Sequence, residues 1–199
     1  MPGRPIVTDV QFDPHRTAVV VIDLQQGVVA METRPHAGSA VVANAVRLLR
    51  SARRAGAQPI LVHVGASPDG ADWPSPPADA GAQRSAARAP GWSDLVPELE
   101  RSQGDLVVFK RQWGAFYGTD LDLQLRRRGL GTLVMCGIAT EFGVESTARD
   151  AYERGYRQIL VSDAMSGVTE QSHSNALERI FPRLGQVRTT DAVAAAFER

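Results

Sequence analysis

Short runs of apolar residues alternate with longer amphipathic segments along the chain. The runs are rich in β-branched residues and do not alternate with polar residues as a half-exposed strand does. Such continuous apolar runs are typical of strands buried on both faces of a parallel sheet. Five such strands are predicted: Thr17–Leu24, Pro59–Val64, Leu106–Lys110, Thr132–Ile138 and Gln158–Ser162. A sixth, shorter strand is predicted around Val187.

The segments between the strands carry apolar residues at helical spacing. They predict helices over Val41–Arg54, from Thr119 onward, over Phe142–Arg154, from Thr169 to Phe181 and over Thr190–Glu198. Residues that favour helix termini lie at the ends of these segments. The predicted N-caps are Ser39, Thr140 and Thr169, the predicted capping box joins Thr119 to Asp122, and the predicted stops are Gly56 and Gly155.

Alternating strands and helices predict an α/β fold with a parallel sheet covered on both sides. We therefore expect a three-layer α/β/α sandwich with a Rossmann-like parallel sheet of five or six strands, formed by residues 1–199 as a single domain. The segment Gly65–Ser93 interrupts the pattern, because it is rich in Gly, Pro, Ala, Ser and Asp and has no period. Trp73 and Trp92 indicate that parts of this loop pack on the domain, either as a surface insertion or as a cover over a substrate.

Composition narrows the range of partners. The 199 residues include 22 basic and 22 acidic side chains, and this balance argues against nucleic acid or an anionic membrane as the main partner. The single cysteine, Cys136, cannot form an intrachain disulfide, which fits a reducing compartment. The sequence shows no signal peptide and no apolar run of membrane-spanning length. We expect a cytoplasmic protein with a small-molecule partner.

Polar residues close two of the apolar strands. Asp23 lies near the end of the first strand and Lys110 ends the third. Ligands of open parallel sheets bind outside the carboxyl ends of the strands, so the two side chains are expected in or near one crevice. From position alone, a structural ion pair explains these residues at least as well as a catalytic pair.

The turn from Ile138 to Gly143 is a third element at this edge. It enters a helix whose first N–H groups lack intrahelical acceptors, and such groups bind anions or an oxyanion. Gly143 permits close approach of a ligand to the backbone. Taken alone, Gly143 is better explained as an ordinary residue at a helix start.

Together, these segments resemble a known family. The similarity rests on Asp23-Leu24-Gln25, Lys110, the Ala115-Phe116-x-Gly118-Thr119-Asp120-Leu121 segment and the stretch GIATEFGVESTARDAYERGY followed by DA. Over Thr17 to Val193 the chain resembles the isochorismatase-like hydrolases, also called the cysteine hydrolase superfamily, which includes nicotinamidases and N-carbamoyl amidohydrolases. The resemblance implies a sheet flanked by helices, a homo-oligomer (dimer or tetramer) and a catalytic triad of Asp, Lys and Cys. Asp and Lys correspond to Asp23 and Lys110.

The chain departs from the family at the third position of the triad. The nucleophilic cysteine would fall at Gly143, so no covalent thioester can form there. Cys136 cannot substitute, since it lies inside a strand and is expected to be a small buried apolar residue. Ser146 has no nearby histidine base in the sequence and is not expected to act as a nucleophile.

The resemblance suggests a reaction that needs no thiol. Isochorismatases of this family also look thiol-free at that position, and they cleave a vinyl ether. We therefore expect hydrolysis of an isochorismate-like vinyl ether, with Asp23 as the proton donor, Lys110 orienting the group and the backbone near Gly143 binding developing charge. Two alternatives stay open: a C–N hydrolase that activates water, and a catalytically silent protein that binds small molecules or serves assembly.

Further residues complete the predicted site. Those predicted to contact substrate flank the same strand ends: Gln25, Trp113, Phe116, Tyr117, Ile138, Ala139, Thr140 and Phe142. The resemblance also implies a non-proline cis peptide bond between Ile138 and Ala139. A dicarboxylate substrate needs further cations, but the available Arg84, Arg88 and Arg111 are each expected at the solvated surface.

No metal and no cofactor are expected. The four histidines show no spacing typical of metal ligands. Of these, His63 is expected in the core and His173 on a helix surface.

Overall fold

The computed structural model describes residues 10–79 and 88–199, and it shows a six-stranded parallel sheet. The strands are β1 (Thr17–Ile22), β2 (Gln58–Val64), β3 (Leu106–Lys110), β4 (Thr132–Ile138), β5 (Arg157–Ser166) and β6 (Gln186–Arg188). Their order is β3-β2-β1-β4-β5-β6, and every neighbouring pair is parallel. The predicted sheet and its short sixth strand are confirmed.

Helices cover both faces of this sheet. They are α1 (Gln26–Val29), α2 (Gly38–Ala55), α3 (Leu121–Arg127), α4 (Glu145–Glu153), α5 (Glu170–Asn175), α6 (Phe181–Leu184) and α7 (Thr190–Phe197). Two π-helical turns, Thr140–Val144 and Ala176–Ile180, precede α4 and α6, and short 3₁₀ turns occupy Pro14–Arg16 and Pro97–Leu99.

The sheet separates two apolar cores, because successive residues of a strand point to opposite faces. Val19 and Val21 of β1 pack with α2 and α7 on one face. Val20 and Ile22 pack with residues of α3, α4 and α6 on the other. All these strand residues are fully buried. The predicted three-layer α/β/α sandwich is therefore confirmed.

Three predicted helix starts are wrong, and at two of them the side chain bonds to a residue distant in sequence. The helix predicted from Thr119 begins at Leu121, and Asp122 accepts a hydrogen bond from the Tyr156 hydroxyl (2.7 Å) instead of completing a capping box. The N-cap of α2 is Ala37 and not Ser39. Thr140 does not cap a helix with its side chain, since its hydroxyl meets Nδ1 of His173 at 2.8 Å.

Other predicted ends agree more closely with the structure. Thr169 forms a capping box with Ser172, and Gly56 ends α2 in the left-handed conformation, as predicted. Gly155 also has a positive φ, just after α4. The predicted strand Gln158–Ser162 extends to Ser166, because Asp163 does not stop it. The Asp163 carboxylate instead accepts from the N–H and the hydroxyl of Thr190, at the start of α7.

The long loop lies close to the carboxyl edge of the sheet. Residues 65–79 and 88–93 contain no helix or strand. The indole of Trp92 packs on Gly27, where an added Cβ would lie 1.9 Å from a ring carbon, and Asp72 forms an ion pair with Arg111, which follows Lys110. A role as substrate cover stays a prediction.

In the parts of the chain that the structure describes, no helix is long and apolar enough to cross a membrane.

We expect Gly137→Ala to be among the most damaging single substitutions in the sheet. Gly137 has a φ of 130°, and a Cβ there would lie 2.0 Å from the carbonyl oxygen of Ile22 on β1. The clash is with backbone and cannot relax, so we expect a loss of more than about 4 kcal/mol in the free energy of unfolding, or no folded protein. Urea unfolding tests this. Gly131→Ala is the control, because a Cβ there contacts nothing within 4 Å; equal stability of the two variants would contradict the expectation.

Candidate active site

Asp23 lies at the carboxyl end of β1 in an unusual backbone conformation. Its φ is +54°, a left-handed conformation that Asp tolerates better than most residues. The side chain is almost fully buried. Its Oδ2 accepts a hydrogen bond from Lys110, whereas Oδ1 is buried and has no hydrogen-bond partner among the residues that the structure describes. Such an unpaired acceptor is available to a substrate or a proton.

Lys110 reaches Asp23 from the third strand. The two strands are not neighbours, because β2 lies between β1 and β3. The side chains nevertheless meet in one crevice, as predicted. The lysine Nζ is 2.7 Å from Oδ2 of Asp23 and also donates to the carbonyl oxygens of Gln112 (3.0 Å) and Trp113 (2.8 Å). These three acceptors match the three protons of an ammonium group.

Burial affects both members of the pair. Desolvation raises the pKa of Asp23 from 3.8 to about 6, and the charge and hydrogen bond of Lys110 only partly oppose this shift. Desolvation also lowers the pKa of Lys110, again against the effect of Asp23. Asp23 therefore exchanges a proton near neutral pH, which suits a general acid or base.

Gly143 lies beside this pair. A Cβ at this position would be 3.0 Å from Oδ2 of Asp23 and 3.7 Å from Nζ of Lys110. It would also be 2.9 Å from the Ile22 side chain, so any larger residue needs a shift of its neighbours. The structure thus brings together the three residues predicted as catalytic: Asp23, Lys110 and Gly143.

The turn that carries Gly143 begins after the cis peptide bond between Ile138 and Ala139, which the resemblance had implied and the structure contains. Thr140–Val144 then forms a π-helical turn. Ile138 and Ala139 are almost fully buried at the end of β4, immediately before this turn.

The residues predicted to contact substrate occupy different environments. Trp113 and Phe142 are exposed, and the centroids of their rings lie 4.9 Å apart. The Trp113 carbonyl accepts from Lys110, and Phe142 immediately precedes Gly143. Tyr117 is also exposed. Phe116 instead packs in the core against Tyr156.

Two of the polar residues predicted to contact substrate bond within the protein. The Gln25 side chain is fully buried, donates to the carbonyls of Val64 and Trp92 and accepts from Val64 N–H, so it holds the loop to β2. Thr140 is fully buried against His173. The prediction that His173 lies on a helix surface is wrong, because this bond and the neighbouring His36 ring bury it. His63 is half-buried and bonds to the Ser93 carbonyl (2.8 Å).

The remaining candidates are buried in a strand or paired with other residues. Cys136 is buried inside β4, and burial raises its pKa to about 12, so its thiol is inert. Arg88 and Arg111 are exposed; Arg88 stacks on Trp92 and Arg111 pairs with Asp72. Arg84 lies outside the described residues. Within residues 10–79 and 88–199 no group of three or more His, Cys, Asp and Glu side chains is arranged to hold a metal ion.

Two residues of the site were missed by the reasoning from sequence. Glu141 joins the Gly143 turn to the start of α5, since its Oε1 accepts from the Ser172 hydroxyl and from Val168 N–H. Thr147 bonds to both Gly143 and Ala115. The sequence held one signal for Thr147, its spacing of four residues from Gly143. A Thr hydroxyl in a helix often bonds to the carbonyl four residues earlier, so this spacing could have indicated the bond to Gly143.

The buried Asp–Lys pair lies beside a helix start at the carboxyl edge of a parallel α/β/α sheet, which is where ligands of such folds bind. Comparison with known proteins identifies the family. The family description "Isochorismatase domain" matches residues 17–192. The uncharacterized isochorismatase family protein YwoC of Bacillus subtilis is 46% identical over 187 residues, which are 94% of this chain and 96% of that protein.

Two further relatives extend this result. A solved isochorismatase family protein from Burkholderia thailandensis is similar with a TM-score of 0.91 and 44% identity, over 95% of this chain and 98% of that one. The ureidoacrylate amidohydrolase RutB of Methylorubrum extorquens is 32% identical over 203 residues, covering 89% of this chain and 78% of that protein. The chain belongs to the isochorismatase family and is a hydrolase of that family.

Proposed function

We propose that this hydrolase acts without a covalent nucleophile and cleaves the vinyl ether of a small isochorismate-like molecule. The observation that carries the proposal is the position of Gly143. It lies against Asp23 and Lys110, where a nucleophilic side chain would stand, and the Asp–Lys pair is intact. Vinyl-ether hydrolysis needs an acid and water but no nucleophilic residue.

In the proposed reaction, Asp23 supplies and takes up every proton that is transferred. The neutral acid of Asp23 gives its proton to the terminal CH₂ carbon of the vinyl ether, and an oxocarbenium ion forms on the adjacent carbon. Water adds to that carbon and its proton returns to the Asp23 carboxylate. The neutral acid of Asp23 then protonates the ether oxygen as the C–O bond of the hemiketal breaks, and its carboxylate takes the proton of the hemiketal hydroxyl. This step releases pyruvate and the alcohol and restores the neutral acid. The Lys110 ammonium stabilises the Asp23 anion that forms when the proton leaves.

A second candidate is hydrolysis of a C–N bond. Its support is the 32% identity to RutB, whose name describes it as an amidohydrolase. Here the Asp23 carboxylate would take a proton from water as the water attacks the carbonyl carbon. The same proton would then go to the nitrogen that leaves. This candidate uses the same residues, but its reaction starts from the carboxylate of Asp23 and not from the neutral acid.

The pH profile separates the two candidates. Because the pKa of Asp23 is raised to about 6, a reaction that starts from the neutral acid is fastest below pH 6 and slows about tenfold per pH unit above it. A reaction that starts from the carboxylate rises up to about pH 6 and is then constant. We expect the falling profile for kcat/KM with isochorismate.

The profile is measured with isochorismate and with ureidoacrylate over pH 4.5–8.5. A rising profile with ureidoacrylate and no turnover of isochorismate would replace the first candidate by the second. Turnover of neither substrate would favour a silent binding protein. The cytoplasmic location and the dimer or tetramer stay predictions.

A further inference from the structure

Thr147 connects the two segments that form the site. It lies in the first turns of α4 and is fully buried. Its hydroxyl donates to the carbonyl oxygen of Gly143 (2.7 Å) and accepts from the backbone N–H of Ala115 (3.1 Å). One hydroxyl thereby joins the turn beside Asp23 to the segment that follows Lys110.

The direction of these bonds is fixed by chemistry. A backbone N–H can only donate, so the hydroxyl accepts from Ala115 and directs its own proton to Gly143. The bond to Gly143 alone would be the ordinary bond of a helical Thr to the carbonyl four residues earlier. The bond to Ala115 spans 32 residues, and the Ala115 N–H is buried, so this contact joins two separate parts of the chain.

Ala115 belongs to the segment that holds the lysine. Two of the three acceptors of the Lys110 ammonium are the carbonyls of Gln112 and Trp113, three and two residues before Ala115. The intervening Gly114 lies flat on α4, where a Cβ would be 3.2 Å from the Asp150 carboxylate and 3.7 Å from Ser146. The hydrogen bond from Ala115 N–H to Thr147 closes this contact between the segment after Lys110 and α4.

We infer that Thr147 is a positioning residue that holds the carbonyls around the Lys110 ammonium in register with the Gly143 turn. It does not touch the reacting groups and acts through Ala115 and Gly143. The inference rests on the proposed site, and it does not depend on which substrate the site hydrolyses.

The sequence offers a direct readout that does not require turnover. Lys110 is the only lysine of the chain, so protein grown with ¹⁵Nζ-labelled lysine gives a single ammonium signal in NMR spectra. The proton exchange of this ammonium with water reports how firmly its three acceptors are held. The variants are Thr147→Val, which keeps the shape, and Thr147→Ser, which keeps the hydroxyl.

We expect Thr147→Val to speed the exchange of the Lys110 ammonium by at least about tenfold, and Thr147→Ser to stay close to the wild type. Thr17→Val is the matched control, because Thr17 is equally buried and its hydroxyl bonds to the Asp13 carbonyl at the opposite end of β1. This variant loses a buried bond without affecting the ammonium. If Thr147→Val does not fold, Thr147→Ala gives the same comparison with Thr147→Ser.

Wild-type exchange in the valine or alanine variant would overturn the inference. Exchange raised equally in Thr17→Val would also overturn it, since a general loss of stability would then explain the result. Where turnover is measurable, we expect kcat to fall on the order of 10- to 100-fold in Thr147→Val, with a smaller change in KM. If the wild type turns over neither substrate, the proposed function fails, while the lysine signal still decides the role of Thr147.

Discussion

Asp23→Asn is expected to lower turnover by about 10²- to 10⁴-fold while the protein stays folded. Asparagine has the shape of aspartate and tolerates the same left-handed conformation, which Asp23 adopts with a φ of +54°. It cannot supply or take the proton, although its amide oxygen still accepts from Lys110. The loss should therefore appear in kcat/KM while the circular dichroism spectrum keeps its shape. The thermal midpoint is expected to fall, because the buried Lys110 ammonium loses its anionic partner.

Asp105→Asn is a suitable control for this result. Asp105 is also a buried aspartate paired with a cation, Arg53, but it lies just before β3, at the opposite edge of the sheet. We expect this variant to lose stability and to keep its turnover per folded molecule. Full turnover by Asp23→Asn would remove Asp23 from the reaction.

Lys110→Met is expected to damage both the fold and the reaction. The lysine is almost fully buried, and methionine keeps its volume but removes the charge that compensates Asp23. Removing one partner of a buried ion pair typically costs about 3–5 kcal/mol, because the other charge stays buried. Turnover is expected to fall on the order of 100-fold or more, since the Asp23 anion that forms on proton transfer loses the ammonium that stabilises it.

The pH dependence of stability gives this prediction a sharper form. Lys110 lowers the pKa of Asp23, so its loss raises that pKa above about 6. A carboxyl whose folded-state pKa is raised loses stability as the pH rises from its unfolded value to its folded value. The free energy of unfolding of Lys110→Met should therefore fall further between pH 6 and 8 than that of the wild type.

Urea unfolding at pH 5 and pH 8 measures this difference. Arg50→Met, which breaks the exposed pair with Glu100, should leave the free energy of unfolding almost unchanged at both values. A Lys110→Met variant with wild-type stability at pH 8 would show that Asp23 carries no buried charge there.

The hydrophobic pattern predicted the sheet closely because parallel strands buried on both faces leave a clear signal. The apolar run of β1 is buried at all six residues, and even the three-residue β6 was located through Val187. Helix starts were predicted less well. The side chains of Asp122 and Thr140 bond to Tyr156 and His173, which are distant in sequence, and local capping rules do not include such partners.

The candidate site was likewise predicted only in part. Asp23 and Lys110 were recognisable because each places a charge at the end of an apolar strand. The Gly143 position required the family resemblance, since a glycine at a helix start has no chemical signal of its own. The links formed by Glu141 and Thr147 were not predictable, because their partners meet only after the strands and helices have packed.

Pyruvate release from isochorismate by the purified protein, with Asp23→Asn measured beside it, is the decisive experiment for vinyl-ether hydrolysis. We expect release by the wild type and a loss of about 10²- to 10⁴-fold in the variant. No release by the wild type, or equal release by both proteins, would contradict vinyl-ether hydrolysis with Asp23 as the acid.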